Sequence, residues 1–398
     1  MRGLAERAQK LSPSPTLSVD TKAKELLRQG EKVINFGAGE PDFDTPEHIK
    51  EAAKRALDQG FTKYTPVAGI LPLREAICEK LYRDNQLEYS PDEIVVSCGA
   101  KHSLYNALQV LLNPGDEVII PVPYWTSYPE QVKLAGGVPV FVPTTPENDF
   151  KLRPEDLRAA VTPRTRLLIL NSPANPTGSV YRREELIGLA EVALEADLWI
   201  LSDEIYEKLI YDGMEHVSIA ALDPEVKKRT VVVNGVSKAY AMTGWRIGYA
   251  AAPRPVAQAM INLQSHSTSN PASVAQAAAL AALKGPQEPV ESMRQAFQKR
   301  RDFIWQHLNS LPGVRCPKPL GAFYVFPEVS GLLGRRLKGR EIASASDLAL
   351  FLLEEIKVAT VAGAAFGDDH YLRFSYALRL EDIEEGMQRF KELLEAAL

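Results

Sequence analysis

Lys238 has the surroundings that point most directly to chemistry. It lies in the segment VVVNGVSKAYAMTGWRIGYAAA, residues 231–252, between two apolar stretches. Such stretches are typical of buried strands, so we expect its amine to face the interior. Burial lowers the pKa of a lysine and makes the neutral amine a nucleophile toward carbonyls. Arg246, eight residues later, could bind an anion such as phosphate. Because most lysines are solvated surface charges, this interpretation needs support from other motifs.

The motif NSPANPTG, residues 171–178, follows the apolar run 167–170. A polar turn at the end of a strand is the simplest interpretation of such a sequence. The two asparagines and two prolines within it also predict a rigid loop that aims the Asn175 side chain. We predict a cis peptide bond between Asn175 and Pro176, since cis bonds occur almost entirely before proline.

A second motif, SDEIY at residues 202–206, ends another apolar run. Asp203 could simply be the N-cap of a helix. At the carboxyl end of a strand, its carboxylate could instead pair with the nitrogen of a heterocyclic ring and keep that nitrogen protonated. A protonated ring accepts electrons from a substrate carbanion. Tyr206 and Asn175 could both reach a phenolic oxygen on the same ring.

A third motif, SCGAKHS at residues 97–103, predicts a strand, a turn at Gly99 and the start of a helix. The free amides of Ala100 and Lys101 and the helix dipole would then favour an anion. The motif lacks the P-loop pattern. The sequence GAGEP at residues 37–41 also fails as a dinucleotide fingerprint, because the third glycine is missing.

Short apolar runs alternate with amphipathic stretches between about residues 92 and 252. This alternation predicts an α/β fold, with a mostly parallel sheet flanked by helices on both faces. The predicted strands are residues 94–97, 117–120, 138–142, 167–170, 198–202, 230–234 and 247–251, and the helices between them include 101–112 and 182–195. Ligands of such sheets bind beyond the carboxyl ends of the strands, which is where the three motifs fall.

The C-terminal part of the sequence has a different pattern, typical of a smaller α+β domain. It predicts helices at residues 289–308 and 346–356 and from residue 381, a short apolar run at 322–326, and strands at 358–361 and 371–375. We expect the N-terminal segment to fold with this part. The predicted domains are therefore a large one, residues 47–286, and a small one made of residues 1–46 and 287–398.

Length and composition limit the possible classes of protein. A chain of 398 residues exceeds the usual size of one hydrophobic core. The net charge of −5 argues against nucleic acid as a partner. No stretch approaches the roughly 20 apolar residues of a membrane span, and the charged N-terminus does not read as a signal peptide. The scattered Cys78, Cys98 and Cys316 fit a reducing cytoplasm. The histidines form no ligand cluster, so we predict no metal.

Taken together, the motifs resemble those of class I aminotransferases, which belong to the fold-type I enzymes that depend on pyridoxal phosphate (PLP). The resemblance extends from about Leu17 to the C-terminus. It rests on GAGEPDFDTP at 37–46, Tyr64 in TKYTP, NSPANPTG, SDEIY, SKAYAMTGWRIGY at 237–249 and LRFSYA at 372–377. It implies an enzyme with PLP as cofactor, a seven-stranded sheet with a smaller second domain, and a homodimer. The chain is most similar to the prokaryotic aspartate aminotransferase subgroup.

The resemblance also implies roles for individual residues. Lys238 would bind the cofactor covalently and then move a proton between substrate and cofactor. Asp203 would pair with the pyridine nitrogen, and Trp125 would stack on the ring. Asn175 and Tyr206 would bind its phenolic oxygen. The phosphate would be held by Gly99, Ala100, Lys101, Ser237 and Arg246, with Tyr64 from the neighbouring subunit. Arg373 would bind the substrate α-carboxylate as a bidentate fork, helped by Asn175 and the backbone of Gly39.

The substrate follows from a second carboxylate site. Some aspartate aminotransferases use an arginine of the partner subunit, and the matching position here is Ser265 in QSHSTSNP, residues 264–271. The prokaryotic subgroup uses a lysine that matches Lys101, and Ser14 and Thr16 could complete that pocket. Lys101 could alternatively point to water, although the dipole disfavours a cation at a helix N-terminus. With Trp125 also lining the pocket, we expect amino transfer from L-aspartate to 2-oxoglutarate.

Several alternatives remain open from the sequence. The nearest is a glutamate/aspartate–prephenate aminotransferase, although relatives with that activity tend to carry a basic residue near the position of Ser12. Lys101 argues against aromatic and alanine aminotransferases. A β-lyase could use the same scaffold. Outside the enzymes, a non-catalytic PLP-binding regulator is possible, although no DNA-binding region is appended. A nicotinamide dehydrogenase shares only the class of sheet.

Overall fold

The computed structural model describes residues 3–9, 11–13 and 15–396, and short strands alternate with helices along them. In chain order the strands are β1 (Ile34–Asn35), β2 (Ile94–Ser97), β3 (Glu117–Val122), β4 (Val138–Pro143), β5 (Thr165–Asn171), β6 (Trp199–Asp203), β7 (Thr230–Gly235), β8 (Gly248–Ala251), β9 (Tyr324–Val325), β10 (Arg336–Leu337), β11 (Arg340–Glu341), β12 (Val358–Ala359), β13 (Val361–Ala362) and β14 (Leu372–Ser375).

The helices cover the strands and connect them. They are α1 (Glu6–Gln9), α2 (Pro15–Arg28), α3 (Glu47–Asp58), α4 (Leu71–Asn85), α5 (Ala100–Leu111), α6 (Ser127–Leu134), α7 (Pro154–Ala160), α8 (Arg183–Glu195), α9 (Pro224–Lys227), α10 (Arg254–Ser265), α11 (Ser273–Lys284), α12 (Glu288–Ser310), α13 (Ala345–Ile356) and α14 (Leu380–Glu395). Within the described ranges, none of them combines the length and the apolar character that crossing a bilayer requires.

The largest sheet has seven strands among the described residues, in the order β2-β8-β7-β6-β5-β3-β4. Strand β8 runs antiparallel to both of its neighbours, and the other pairs are parallel. The predicted mostly parallel seven-stranded sheet is therefore confirmed. Each of the seven predicted strands overlaps an observed one, and the ends differ by no more than two residues.

The alternation of side chains along β2 explains why helices cover both faces of this sheet. Successive side chains of a strand point to opposite faces. Val95 packs in a cluster with Leu104 and Leu108 of α5. Its neighbours along the strand, such as Val96, pack in a different cluster with Ile77 of α4. Both faces are therefore buried, as the continuous apolar runs of the sequence predict.

The N-terminal segment packs with the C-terminal elements. Strand β1 pairs in parallel with β12, and Phe36 lies in one hydrophobic cluster with Phe374 and Phe390. A second sheet has the order β13-β14-β9. The domain limits at residues 47–286 stay a prediction.

One predicted strand is wrong as a single unit. Residues 358–361 form parts of two strands, because β12 pairs with β1 whereas β13 pairs with β14. The chain changes partner at Thr360, which lies outside both strands. An apolar run of this length does not reveal that its two halves belong to different sheets. The peptide bond between Asn175 and Pro176 is cis, as predicted.

A close approach of backbones fixes the start of α5 against β8. A Cβ atom added at Gly248 would overlap the backbone of Gly99 and Ala100, whereas one added at Gly244 would meet nothing within 4 Å. The turn before α5 can therefore lie on the sheet only because residue 248 has no side chain.

We expect Gly248→Ala to lower the free energy of unfolding by about 1–3 kcal/mol, because the added methyl group forces two backbone segments apart. Gly244→Ala is the matched control in the same segment and should leave stability within about 0.5 kcal/mol. Urea unfolding of the two variants beside the original chain measures the difference. Equal midpoints for both variants would contradict the packing argument.

Candidate active site

A cavity of about 410 Å³ opens at one edge of the seven-stranded sheet. It is lined by most of the residues to which the sequence assigned roles. These are Gly39, Ala100, Lys101, Trp125, Asn175, Asp203, Tyr206, Ser237, Lys238, Arg246 and Arg373. Residues separated by more than 300 positions in the chain thus meet at one site.

The strand directions explain why the motifs meet. Asp203 ends β6 and pairs in register with Asn171, which ends β5. Gly248 begins β8 and pairs with both Ser97 at the end of β2 and Gly235 at the end of β7. Because β8 is antiparallel, its amino end lies at the same sheet edge as the carboxyl ends of its neighbours. The segments that follow or precede these ends all face the cavity.

Lys238 follows β7, is partly buried and lines the cavity. Its Nζ donates a hydrogen bond of 2.5 Å to the backbone carbonyl of Gly39. Burial lowers the pKa of Lys238 from 10.5 to about 8, and the nearby Glu40 carboxylate limits this fall. A larger share of the amine is therefore neutral near pH 8 than in a surface lysine, as nucleophilic attack on a carbonyl requires.

Asp203 is buried and lines the same cavity. The Tyr128 hydroxyl donates to its Oδ2 at 2.7 Å, and the backbone N–H of Ile205 donates to its Oδ1 at 3.3 Å. Burial raises the pKa of Asp203 to about 6, and the bond from Tyr128 opposes this rise. The carboxylate is thus ionised near neutral pH and could pair with a protonated ring nitrogen.

The first turn of α5 and the residues around it could hold an anion. Gly99, in the left-handed region at φ 88°, is the N-cap of α5. The amides at a helix N-terminus have no partners within the helix, and glycine has no side chain to cap them. Arg246 bonds to the backbone carbonyls of Thr243 and Cys98 and lies against this turn. A Cβ at Gly99 would overlap the Arg246 guanidinium, which would have to move away from this turn, and the φ of Gly99 also favours glycine.

Arg373 reaches the cavity from β14 and is buried. Its Nη2 donates to the carbonyl of Gly37 at 2.8 Å and its Nη1 to Oδ1 of Asn175 at 3.1 Å. Its Nε is buried with no hydrogen-bond partner in the described part of the chain. An orphaned donor on a buried guanidinium is costly unless a ligand satisfies it, and a carboxylate is the acceptor that matches its fork.

Lys101 and Trp125 form another wall of the cavity. Nζ of Lys101 lies 4.9 Å from the centre of the Trp125 ring. Lys101 as a whole residue is exposed. Even so, partial desolvation of its amine lowers the pKa of Lys101, and the positive charge of Arg246 lowers it further. Lys101 therefore lines the cavity and is also in contact with solvent. Ser14 and the side chain of Thr16 lie outside the part of the chain that the structure describes.

Two predicted residues do not line the cavity. Gly99 lies just behind it in the turn before α5, where it shapes the backbone. Tyr64 is 90% exposed, and no part of its side chain reaches the cavity of its own chain. The sequence assigned Tyr64 to the neighbouring subunit, which a single chain does not test.

Sequence reasoning assigned no role to Tyr128 and Tyr324, which also line the cavity. The hydroxyls of Tyr324 and Tyr206 share a hydrogen bond of 2.9 Å, and the Arg373 guanidinium lies 4.5 Å from the centre of the Tyr324 ring. Tyr324 reaches the site because β9 pairs with β14. For Tyr128 the only signal was its place three residues after Trp125, at the start of α6.

A separate group of side chains has spacing suited to a metal ion. Among the described residues it consists of Glu204, Glu207 and His216. Glu204 already accepts hydrogen bonds from Ser218 and His216, and Glu207 forms an ion pair with Lys80. These carboxylates are satisfied by protein groups, and the prediction of no metal stays a prediction.

The cavity fits a phosphorylated ring. An anion cradle lies at one end, an indole forms a wall, and a buried carboxylate and an amine of lowered pKa face the interior. The Nε of Arg373, which has no hydrogen-bond partner among the described residues, could donate to a second anionic ligand.

Comparisons with known proteins agree over nearly the full length of the chain. The sequence profile of the family described as aminotransferase class I and II matches residues 31–390. An aspartate aminotransferase of Geobacillus stearothermophilus is 54% identical over 396 residues, which cover 99% of this chain and 99% of that protein. An aspartate/prephenate aminotransferase of Cereibacter sphaeroides is 52% identical over 393 residues, 98% of each chain.

A solved structure gives the same result for the fold. The aspartate aminotransferase from Thermus thermophilus with maleate superimposes with a TM-score of 0.93 and is 47% identical. The match covers 99% of this chain and 100% of that one.

The lowered pKa of Lys238 predicts selective labelling. When the apoprotein is treated with an aldehyde and then with borohydride, modification of Lys238 should rise with pH through a midpoint of about 8. Surface lysines should follow near pH 10.4, their ordinary pKa. Peptide mass spectrometry over a pH series measures both. A midpoint for Lys238 at the surface value would show that its amine is not desolvated.

Proposed function

The chain belongs to the class I and II aminotransferase family, and we propose that it transfers the amino group of L-aspartate to 2-oxoglutarate, giving oxaloacetate and L-glutamate. The observation that carries this proposal is the placement of two of the cations that line the cavity. Arg373 and Lys101 both line the cavity that contains Lys238. A dicarboxylic amino acid has two carboxylates, and each would meet one of these cations.

Enzymes of this family depend on pyridoxal phosphate, and the residues of the cavity fit that group. When bound, the cofactor supplies an aldehyde that reacts with amines and a ring that withdraws electrons from the carbon next to the bound nitrogen. The amides that begin α5, with Ser237 and Arg246, would hold its phosphate. Trp125 would stack on the ring, and Asn175 and Tyr206 would bind the phenolic oxygen.

Asp203 and Lys238 would divide the proton chemistry between them. The Asp203 carboxylate would hold a proton at the ring nitrogen, where charge pairing in a buried site is strong. Lys238, as a neutral amine, would take the proton from the substrate Cα and return it to C4′ of the cofactor, the carbon bonded to the same nitrogen. A group whose pKa lies near the operating pH is suited to both transfers, and the pKa of Lys238 is about 8.

Arg373 would orient the substrate. Its Nε has no partner among the described groups, and its Nη atoms bond to neutral oxygens that a carboxylate could replace. The fork fixes the amino acid in one orientation, so that the Cα proton points to Lys238. Such positioning raises the rate of the proton transfer, because the reacting groups are held in the correct geometry before the reaction begins.

We also propose that the active unit is a cytoplasmic homodimer. Tyr64 is 90% exposed in the single chain, which is unusual for an aromatic residue with a role at the site. A neighbouring subunit would bury it and bring its hydroxyl to the phosphate.

A second candidate is supported by a specific observation. The aspartate/prephenate aminotransferase of Cereibacter sphaeroides is 52% identical to this chain. Prephenate also has two carboxylates, so Arg373 and Lys101 suit it equally. Against this candidate, Ser12 stands where relatives with that activity tend to carry a basic residue, and its backbone N–H bonds to Glu130.

A panel of donors and acceptors tests the proposed function. With 2-oxoglutarate as acceptor, kcat/KM should be highest for L-aspartate, and 2-oxoglutarate should exceed prephenate as acceptor. Lys238→Ala should retain less than about 0.1% of turnover, in keeping with the large contribution of a covalent and acid–base residue. Higher activity with alanine or an aromatic donor, or with prephenate, would overturn the assignment.

The role of Lys101 is tested by Lys101→Ser. Loss of a charged hydrogen bond of about 1.5–3 kcal/mol should lower kcat/KM for aspartate roughly tenfold to a hundredfold. The change for alanine should be small, and the cofactor absorbance should remain. Lys133→Ser on α6, which removes a lysine paired with Glu130, is the control. Unchanged kinetics with aspartate would show that Lys101 does not bind the side-chain carboxylate.

A further inference from the structure

The hydroxyl of Tyr128 forms a hydrogen bond that the packing of its ring does not require. It lies in the first turn of α6 with only 2% of its surface exposed. Its hydroxyl donates to Oδ2 of Asp203 at 2.7 Å. The backbone N–H of Ile205 donates to the other oxygen, Oδ1, at 3.3 Å. Two donors from different elements thus hold the two oxygens of one buried carboxylate, which fixes the plane of the carboxylate.

The groups around Asp203 act in opposite directions on its pKa, so the hydrogen bond from Tyr128 affects whether the carboxylate is ionised. Lys238 favours the ionised carboxylate, Glu204 disfavours it, and burial disfavours it most. Tyr206 is also electrostatically coupled to Asp203. Among the described residues, Tyr128 is the titratable group that donates a hydrogen bond to the Asp203 carboxylate. A donor stabilises a carboxylate in its ionised form more than in its protonated form, so loss of the hydroxyl raises the pKa of Asp203 above its value of about 6.

The ring of Tyr128 has a separate structural role. It packs edge-on against Trp125, with ring centres 5.3 Å apart and planes at 81°. Helix α6 is also tied to α5, because Gln131 donates to the carbonyl of Lys101. Both contacts survive removal of the hydroxyl alone, which separates the two roles of the residue.

We propose that Tyr128 is a positioning residue, whose hydroxyl orients the Asp203 carboxylate toward the ring nitrogen of the cofactor and favours its ionised form. This inference rests on the proposed function, because it requires Asp203 to face that nitrogen. Tyr128 itself acts through Asp203. Without its hydroxyl the carboxylate can rotate and takes up a proton at higher pH, and the ring nitrogen then loses its charged partner.

Binding of pyridoxamine phosphate to the apoprotein tests this inference without reliance on catalysis. That form of the cofactor carries an amine in place of the aldehyde, so Lys238 does not react with it. Tyr128→Phe should raise its Kd about tenfold near pH 7, and the loss should grow as the pH falls toward 6, where more of the altered Asp203 is protonated. Tyr376→Phe removes another buried donor hydroxyl, which bonds to the Ala322 carbonyl, and should leave Kd unchanged.

A double-mutant cycle with Asp203→Asn separates the possible results. If Tyr128 acts through Asp203, the effect of Tyr128→Phe should vanish in the Asp203→Asn background. An effect of equal size in both backgrounds would show a packing role and overturn the inference. If Asp203→Asn weakens binding but Tyr128→Phe does not, this inference fails and the proposed function stands. If Asp203→Asn has no effect, the assigned role of Asp203 fails with it.

A ring-fluorinated tyrosine at position 128 keeps the test decisive if Tyr128→Phe does not fold. It has nearly the same shape and a stronger donor hydroxyl. Tighter binding of pyridoxamine phosphate at pH 6, with little change at pH 8, is the expected result. Weaker or unchanged binding at pH 6 would overturn the inference.

Discussion

The antiparallel strand β8, between β2 and β7, is the constraint on which the site depends. Its first residue, Gly248, pairs with the last residues of both neighbours. This pairing brings the turn before α5, the loop that carries Lys238 and the loop that carries Arg246 to one sheet edge. The absence of a side chain at Gly248 lets the α5 turn lie directly on the strand. A fully parallel sheet would have placed the amino end of β8 at the opposite edge.

Burial shifts the pKa values of the two titratable groups on which the proposed chemistry depends. The same desolvation lowers the pKa of Lys238 to about 8 and raises the pKa of Asp203 to about 6. Each group alone would tend to lose its charge, and their common cavity partly opposes this tendency through mutual attraction. An acid and a base whose pKa values lie on either side of neutral pH are suited to proton transfer at physiological pH. An ordinary lysine and an ordinary aspartate are sufficient, because their surroundings shift their pKa values.

The part of the cavity around Arg373 is built by different elements. Arg373 comes from β14, and its partners Gly37 and Asn175 come from the N-terminal segment and from the loop after β5. Strand β1 pairs with β12, which holds the N-terminal segment against the C-terminal elements. Amino-acid recognition by Arg373 would therefore depend on contacts between the two ends of the chain, whereas the proposed cofactor site would depend on the large sheet.

The sequence alone predicted the seven strands of the large sheet, because continuous apolar runs are local signals, and its motifs indicated the family and eleven of the residues that line the cavity. It did not predict that β8 runs antiparallel to both of its neighbours. It did not reveal that residues 358–361 divide between two sheets, nor that Tyr128 and Tyr324 reach the cavity. Strand pairing and helix packing decide these features, and both depend on residues distant in the chain. The pKa values of Lys238 and Asp203 have the same origin, since desolvation is a property of the assembled cavity and not of a motif.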